Sequence, residues 1–223
     1  MRSPEQTHRV RQGECLASIA RTYGFEDPNE IYQHAKNADL RRLRPNPNIL
    51  YPGDTVVVPA HELKSFVLQT GMRHRITVQV PKRLLRIKLQ GPDGAVLAGK
   101  AFEIVAGKKT VKGNVTSDGV VEAKIPADAT DATLSIPEAG LRLPLAVGHL
   151  DPIHQGDPSQ PIPSGVLARL ANLGYYTGPA SNQLDEDATS AIASFQQEIM
   201  GREDPDGRLD EATLNRLMDA HGC

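Results

Sequence analysis

Residues 184–189 read Leu184-Asp185-Glu186-Asp187-Ala188-Thr189, and residues 209–213 return the phrase as Leu209-Asp210-Glu211-Ala212-Thr213. Each copy opens a helix. An aspartate carboxylate accepts from the unpaired N–H groups of a first turn, and the acidic residues behind it suit the positive end of the helix dipole. Asp185 and Asp210 are therefore expected N-caps. Apolar residues at helical spacing follow each: Ile192, Phe195 and Ile199 after the first, Leu214, Leu217 and Met218 after the second. Val166, Leu167, Leu170 and Leu173 form a third stripe of the same period. Residues 164–223 are thus predicted to be a three-helix module.

Upstream, residues 148–163 hold Asp151-Pro152, Gly156-Asp157-Pro158 and Pro161-Ile162-Pro163. Proline at that density predicts a stiff, extended linker. Residues 64–147 switch to a period of two, as in Arg75 to Val80 and Leu85 to Leu89. Pro92-Asp93-Gly94 and Ser117-Asp118-Gly119 mark hairpin turns. Phe102 to Val105, Val120 to Ile125, Ala132 to Ile136 and Leu141 to Val147 supply further strands, so the middle is predicted to be a β-sandwich or small barrel. Residues 7–60 read strand, helix, helix, strand. His8 to Arg11 is extended. Leu16, Ile19, Ala20 and Tyr23 share a helix face, stopped by Gly24. Pro28-Asn29 opens a second helix with Ile31, Tyr32, Ala35 and Ala38 inward. A long basic connection, Asp39 to Arg44, and the loop Pro45-Asn46-Pro47-Asn48 lead to the strand Thr55 to Val58. The fold class expected is α+β and multidomain: a βααβ module, a central all-β sandwich and a C-terminal three-helix module.

Bulk composition narrows the function. The 223 residues contain no Trp and 4% aromatics, so the cores are aliphatic. Residues 1–113 carry 19 Lys/Arg against 10 Asp/Glu; residues 114–223 carry 6 against 17. The positive charges are dispersed along strands and not interleaved with aromatics, which argues against nucleic acid. Cys15 and Cys223 lie at opposite ends and form no disulfide framework. Met1 to Val10 is polar, without the apolar core of a secretory leader, and no stretch has the length of a membrane span. The chain is expected to be cytoplasmic as synthesised, reaching the periplasm or cell envelope, if at all, by a non-classical or contractile injection route.

Three resemblances enter on specific residues. Val10-Arg11-Gln12-Gly13-Glu14-Cys15-Leu16-Ala17-Ser18-Ile19-Ala20, Tyr23-Gly24 and Asn46-Pro47-Asn48-Ile49-Leu50-Tyr51-Pro52-Gly53-Asp54 resemble a LysM domain. That resemblance implies binding of N-acetylglucosamine glycans, peptidoglycan or chitin, by two loops. On this chain they comprise Gly13, Glu14, Cys15 and Leu16, and Pro47, Asn48, Ile49 and Leu50. Loop backbone would pair the acetamido group while Leu16, Ile49 or Leu50 covers its methyl. Cys15 stands where the family usually has Thr or Ser, and Cys is a poor cap. Val166 to Gly178, Thr189, Ala191-Ile192, Phe195-Gln196, Asp206-Gly207 and Thr213 to Leu217 resemble the peptidoglycan-binding domain 1 family, and imply Tyr175, Tyr176 and Gln196 as ligand contacts. The glycines of that family's two Gly-x-x-Thr turns are replaced here by Glu186 and Asp210. More loosely, Gly91 to Gly94, Ala98 to Ile104 and Thr116 to Val121 resemble transthyretin-like sandwiches, such as accompany spike and effector proteins of type VI secretion and related injection systems.

Chemistry is weighed and set aside. His221-Gly222-Cys223 resembles the nucleophile motif of L,D-transpeptidases, but a thiol nucleophile needs a base and an oxyanion hole, and no catalytic domain surrounds it. His149 and His154 flank Asp151 without zinc spacing. Asp204-Pro205-Asp206-Gly207 lacks the downstream Glu of a calcium loop. Glu186/Asp187 and Asp210/Glu211 are first-turn charges. No catalytic residue, metal or cofactor is expected. The reading is a non-catalytic wall-binding protein whose partner is peptidoglycan or another amino-sugar glycan. The competing reading is an adaptor or effector-loading component of an injection machine, partnered by a spike or effector protein.

Overall fold

The computed structural model describes residues 2–62, 67–75, 81–89 and 97–222. Ile76 to Val80, the turn Pro92-Asp93-Gly94 with Gly91, and Cys223 lie outside the described residues. The elements, in chain order, are β1 (Arg2–Ser3), β2 (Gln6–Arg9), α1 (Leu16–Tyr23), α2 (Pro28–Tyr32), α3 (Ala38–Leu43), β3 (Thr55–Val58) and β4 (His61–Glu62). There follow β5 (Lys82–Lys88), β6 (Ala101–Ala106), β7 (Lys109–Asn114), β8 (Val120–Pro126), β9 (Asp131–Ile136) and β10 (Leu141–Ala146). Last come α4 (Pro163–Asn172), α5 (Glu186–Met200) and α6 (Glu211–His221). Helix and sheet are both well represented, with a helical C-terminal region, and the chain is α+β. It divides into two compact units, Met1–Ala38 with Pro52–His149, and Asp39–Tyr51 with Leu150–Cys223.

In the first unit β2 and β3 pair antiparallel, with His8 opposite Val56. Leu16, Ile19 and Ala20 of α1 are buried, and Gly24 ends the helix at φ 83°, the left-handed position that glycine takes without a Cβ penalty. The first-turn cap is not what Cys15 alone predicts. A reciprocal capping box forms: the Ser18 N–H faces the Cys15 side chain, the Cys15 N–H donates to Ser18 Oγ at 3.0 Å, and that hydroxyl donates to the Cys15 carbonyl at 2.8 Å. Cys15 itself is fully buried, and its sulfur accepts from Arg83 Nη1 at 3.1 Å.

The second helix differs from its prediction. It stops at Tyr32, because His34 takes an extended conformation (ψ 138°), and a 3₁₀ turn follows over Ala35–Asn37. Ala35 and Ala38 are exposed, and Asn37 is buried in their place. Its amide donates to the carbonyls of Ile31 (2.8 Å) and Val57 (2.7 Å) and accepts from Val57 N–H (2.8 Å). A side chain that completes backbone pairing of a helix end and a strand defines the geometry more sharply than a methyl could. The basic stretch from Asp39 is likewise not a loop, since α3 runs through Leu43.

Strands β5 to β10 form two sheets, β5-β8 and β10-β9-β6-β7. Alternation puts Phe102, Ile104 and Ala106 of β6, Val121, Ala123 and Ile125 of β8, and Ala132, Leu134 and Ile136 of β9 into one common core. Ile104 lies opposite Leu134 across the β6–β9 pair. The turn at Ser117-Asp118-Gly119 carries the chain from one sheet to the other and does not close a hairpin between paired neighbours. Strand β7 escapes the sequence reading. Gly113 pairs with Phe102, and a Cβ there would stand 2.7 Å from the Phe102 ring. The phenyl ring covers the place a β7 side chain would fill.

In the second unit α4, α5 and α6 bury Val166, Leu167, Leu170, Ile192, Phe195, Leu214 and Leu217 together. Ile199, assigned inward by period, is at the rim. Residues 148–163 depart from the extended-linker reading. Ile153 belongs to the helical core, and the segment turns back on itself, with His154 bridging Pro161 and Ile162 N–H donating to the Ile153 carbonyl at 2.8 Å. Burying two isoleucines outweighs the extended preference of the prolines.

Candidate functional site

Helix α4 has Ile162 at its N-cap, which offers no side-chain acceptor. Asn182 Oδ1 takes that role from a distance, accepting from Ser164 N–H at 3.3 Å, while the Asp151 carboxylate accepts from Ser164 Oγ at 2.7 Å. The buried Arg169 donates to the carbonyls of Asp151 (2.9 Å) and Gly165 (2.8 Å). These bonds press Pro152 so close to α4 that a Cβ on Gly165 would lie 2.0 Å from the Pro152 carbonyl oxygen. Arg44 does similar work for residues 39–51. It is buried, lies over the Tyr51 ring, and donates to the His154 carbonyl (3.2 Å) and Gln155 Oε1 (3.0 Å). Two buried guanidinium groups therefore hold residues 151–155, Arg169 against α4 and Arg44 against residues 39–51.

Both repeat aspartates cap as the sequence predicts. Asp185 Oδ1 accepts from Ala188 N–H at 2.8 Å and Asp210 Oδ1 from Thr213 N–H at 2.7 Å. Asp210 sits at φ −85°, and Glu186 is the first residue of α5, so neither needs the left-handed backbone a family glycine would allow. Burial pushes the Asp210 carboxyl up, but hydrogen bonds from Thr213 and the Arg202 ion pair at 2.6 Å outweigh it and leave it below the ordinary carboxylate value.

The three C-terminal site residues have different fates. Tyr175 is half-buried, its ring edge-on to Phe195 at 5.6 Å, and its hydroxyl donates to Glu198 Oε2 at 3.1 Å. Burial and the Glu198 carboxylate both push that hydroxyl above the usual tyrosine range. Tyr176 is buried in the helical core, and its hydroxyl donates to the Pro179 carbonyl at 3.4 Å. Gln196 is 0% exposed. Its Oε1 accepts from Gly207 N–H at 2.9 Å, and its Nε2 donates to the Arg208 carbonyl (2.9 Å), Thr213 Oγ1 (3.1 Å) and Asp206 Oδ1 (3.3 Å). Gln196 as a ligand contact is corrected on that ground: its polar groups fasten the loop 206–208 and the first turn of α6 to α5. Of the three, Tyr175 is the one with a solvent-facing edge. The residues Asp204 to Gly207 form this fastened turn.

Near it, Asn172 Nδ2 stands 2.9 Å from His221 Nε2. Burial, and then the Arg169 guanidinium, lower the His221 pKa from 6.5 to about 4. The ring is therefore neutral near neutral pH, and its Nε2 accepts from the Asn172 amide. Gly222 ends α6 in the left-handed conformation, φ 88°.

Of the N-terminal site residues, Gly13, Glu14, Cys15 and Leu16 lie in the first unit, and Pro47, Asn48, Ile49 and Leu50 in the second. Cys15 and Leu16 are buried, Leu50 is 4% exposed, and Asn48 is exposed. The buried three are core side chains and meet no solvent. What faces solvent in the first loop is Gly13, at φ 85°, and Glu14. Glu14 Oε2 accepts from Arg11 N–H and pairs with His8 Nε2, each at 2.8 Å.

Sequence comparison then adds one finding. Residues 166–217 match the family described as "Putative peptidoglycan binding domain". No curated protein and no solved structure matches the chain. Among the described residues, no helix is long and apolar enough to cross a membrane.

Proposed function

We propose that the chain is a non-catalytic peptidoglycan-binding protein, with residues 164–223 as its principal wall-binding module. One observation carries this reading. Within the matched residues 166–217 Val166, Leu167, Leu170, Ile192, Phe195, Leu214 and Leu217 share one buried core, and the aspartate caps of α5 and α6 are formed. The match therefore falls on an intact module, with Tyr175 at its rim as the aromatic contact for a sugar face. Residues 7–60 act as a second, LysM-like glycan module. The pairing of β2 with β3 across the helices α1 and α2 supports that reading, with the further helix α3 inserted before β3. Two weak sites on one chain raise the effective concentration of each at the wall. Residues 64–147 are a transthyretin-like sandwich, and residues 148–163 join it in sequence to the last module. The protein is synthesised in the cytoplasm and acts at the cell envelope.

Cosedimentation with purified sacculi tests this. Recognition of an amino sugar by backbone and an aromatic face involves no net charge, so binding should persist at moderate salt, where screening weakens ionic adsorption. Chito-oligosaccharide should compete, and Tyr175→Ala should weaken retention by roughly 1–2 kcal/mol. A chain that stays in the supernatant sinks the proposal. If it also co-purifies with a spike or effector protein, the injection-machine adaptor takes its place.

A further inference from the structure

Within the first unit a cleft of about 380 Å³ opens beside the turn that precedes α1. It lies at the small end of the roughly 300–1,000 Å³ of ligand pockets. One wall is Gln12 to Glu14 and the outer face of α1, with Ser18, Arg21 and Thr22; the other is the β8–β9 connection, with Ala127, Asp128 and Thr130. Helical spacing puts Glu14, Ser18 and Arg21 or Thr22 on one side of the helix. Arg21 pairs with Asp128 from the opposite wall.

The hydrogen-bond inventory of this cleft is lopsided. The Ser18 hydroxyl proton goes to the Cys15 carbonyl (2.8 Å), the Thr22 proton to the Ser18 carbonyl (3.1 Å), and the Thr130 proton to Asp131 Oδ2 (3.1 Å). Each partner is an acceptor, so each hydroxyl must donate to it and has only lone pairs left for a guest. Glu14 uses Oε2 on Arg11 and His8, while Oε1 faces no partner among the described hydrogen bonds. Asp128 spends Oδ1 on Arg21 and keeps Oδ2. The cleft thus presents two carboxylate oxygens and three hydroxyl oxygens as acceptors, with the Arg21 guanidinium as its cation. A neutral acetamido sugar can donate its N–H and hydroxyl protons to these acceptors, but it brings no anion for Arg21 and no cation for the two carboxylates. A group carrying both a primary ammonium and a carboxylate matches it on both counts. The ammonium brings three donors to Glu14, Asp128 and a threonine oxygen, and the carboxylate takes the free edge of Arg21.

We infer that this cleft binds the zwitterionic head of an amino acid, ammonium on the Glu14 and Asp128 side and carboxylate on Arg21. Two sources supply that chemistry: a free amino acid, or a diamino-acid residue of a wall peptide whose second amino-acid centre is unacylated. Binding here is separate from glycan binding by residues 164–223. Titration calorimetry and amide shifts on the full chain test it. The probes are free 2,6-diaminoheptanedioic acid, an N-acylated dipeptide ending in it, and the same dipeptide with the remaining amine acetylated. The free amine should bind saturably and move the Thr22 and Thr130 amide resonances. Acetylating it, or introducing Arg21→Gln or Asp128→Asn, should weaken binding by about tenfold or more. Both substitutions are at exposed side chains, and unchanged melting of each variant separates lost binding from lost fold. Equal binding of free acid and dipeptide makes the source a free amino acid, and tighter dipeptide binding makes it a wall peptide; both uphold the zwitterion site. Binding that ignores acetylation, or no saturable shift with any probe at millimolar concentration, overturns it. Sacculus binding with a silent cleft sinks this inference alone, and the reverse result sinks glycan binding alone.

Discussion

Gln196→Met is the substitution that most sharply separates scaffold from ligand contact. Met fills a similar volume on the same helix without a polar group. In the native protein Gln196 accepts from the buried Gly207 N–H at 2.9 Å and donates to the Arg208 carbonyl and to the buried Thr213 hydroxyl. Met leaves those partners in place and unanswered. An orphaned buried donor costs about 1–3 kcal/mol, and the unmet acceptors add to it. The greater apolar character of Met returns part, for a net loss of about 2–4 kcal/mol. For a module of this size that is a fall of roughly 8–32 °C in melting temperature. Calorimetry on the full chain gives the number, and hydrogen exchange at the Gly207 amide identifies the transition that moved. Below the new melting temperature, sacculus binding should be little changed, because a fully buried side chain touches no ligand. Stability within about 0.5 kcal/mol of the parent would refute the ledger of hydrogen bonds. Unchanged stability with lost wall binding would return Gln196 to the ligand site and overturn the placement argued above.

Three other outcomes follow from the same module. Asp185→Ala and Asp210→Ala should each cost about 0.5–2 kcal/mol in a denaturant melt, with Asp210 the costlier because it also loses Arg202; equal and negligible effects would deny the caps. Gly165→Ala pushes a methyl into the Pro152 carbonyl, and should cost about 3 kcal/mol or more, or abolish folding, as read by circular dichroism. The His221 pKa is lowered in the folded state to about 4, so the unfolded chain takes up the proton first. Stability should therefore fall as pH drops from about 6.5 toward 4, and His221→Gln should remove that slope from the urea midpoint. Loss from the carboxylates is separable. Asp206, held low chiefly by the Arg208 N–H, and Asp210 keep their contributions until the pH falls below the ordinary carboxylate range.

What the sequence made legible is what periodicity and capping encode. The three C-terminal helices, their aspartate caps, the β2–α1 start and most strands of the two sheets were readable because apolar residues recur at 3.6 or 2, and because a cap is a local bond. What escaped has a common physical cause. Strand β7 carries little apolar signal because Phe102, on its neighbour, fills the space over Gly113. The break after Tyr32 and the burial of Asn37 depend on Val57, twenty residues on. Gln196 resembles any polar residue on an exposed helix face until the turn at Asp206 to Arg208 folds beneath it. Residues 148–163 look like a spacer because proline is a local preference, whereas the burial of Ile153 among helices is not.

The aliphatic composition explains why these hidden contacts matter. Without Trp and with few aromatics, the cores are built from side chains of similar size and shape, which fill space but discriminate poorly between neighbouring arrangements. A buried polar group discriminates strongly, because a wrong arrangement leaves it unpaired. Asn37 and Arg83 in the first unit, and Arg44, Arg169 and Gln196 in the second, are all buried, and each bonds backbone carbonyls. Removing any of them should therefore loosen one defined arrangement more than it reduces compactness, and the loops they hold would lose fixed geometry first. The wall-binding surface proposed above lies on such a loop, at Tyr175 after α4. Wall binding and thermal stability should thus fall together in variants of Arg169, whereas Tyr175→Ala, which removes a half-buried ring packed on Phe195, should lose some stability and proportionally more wall binding.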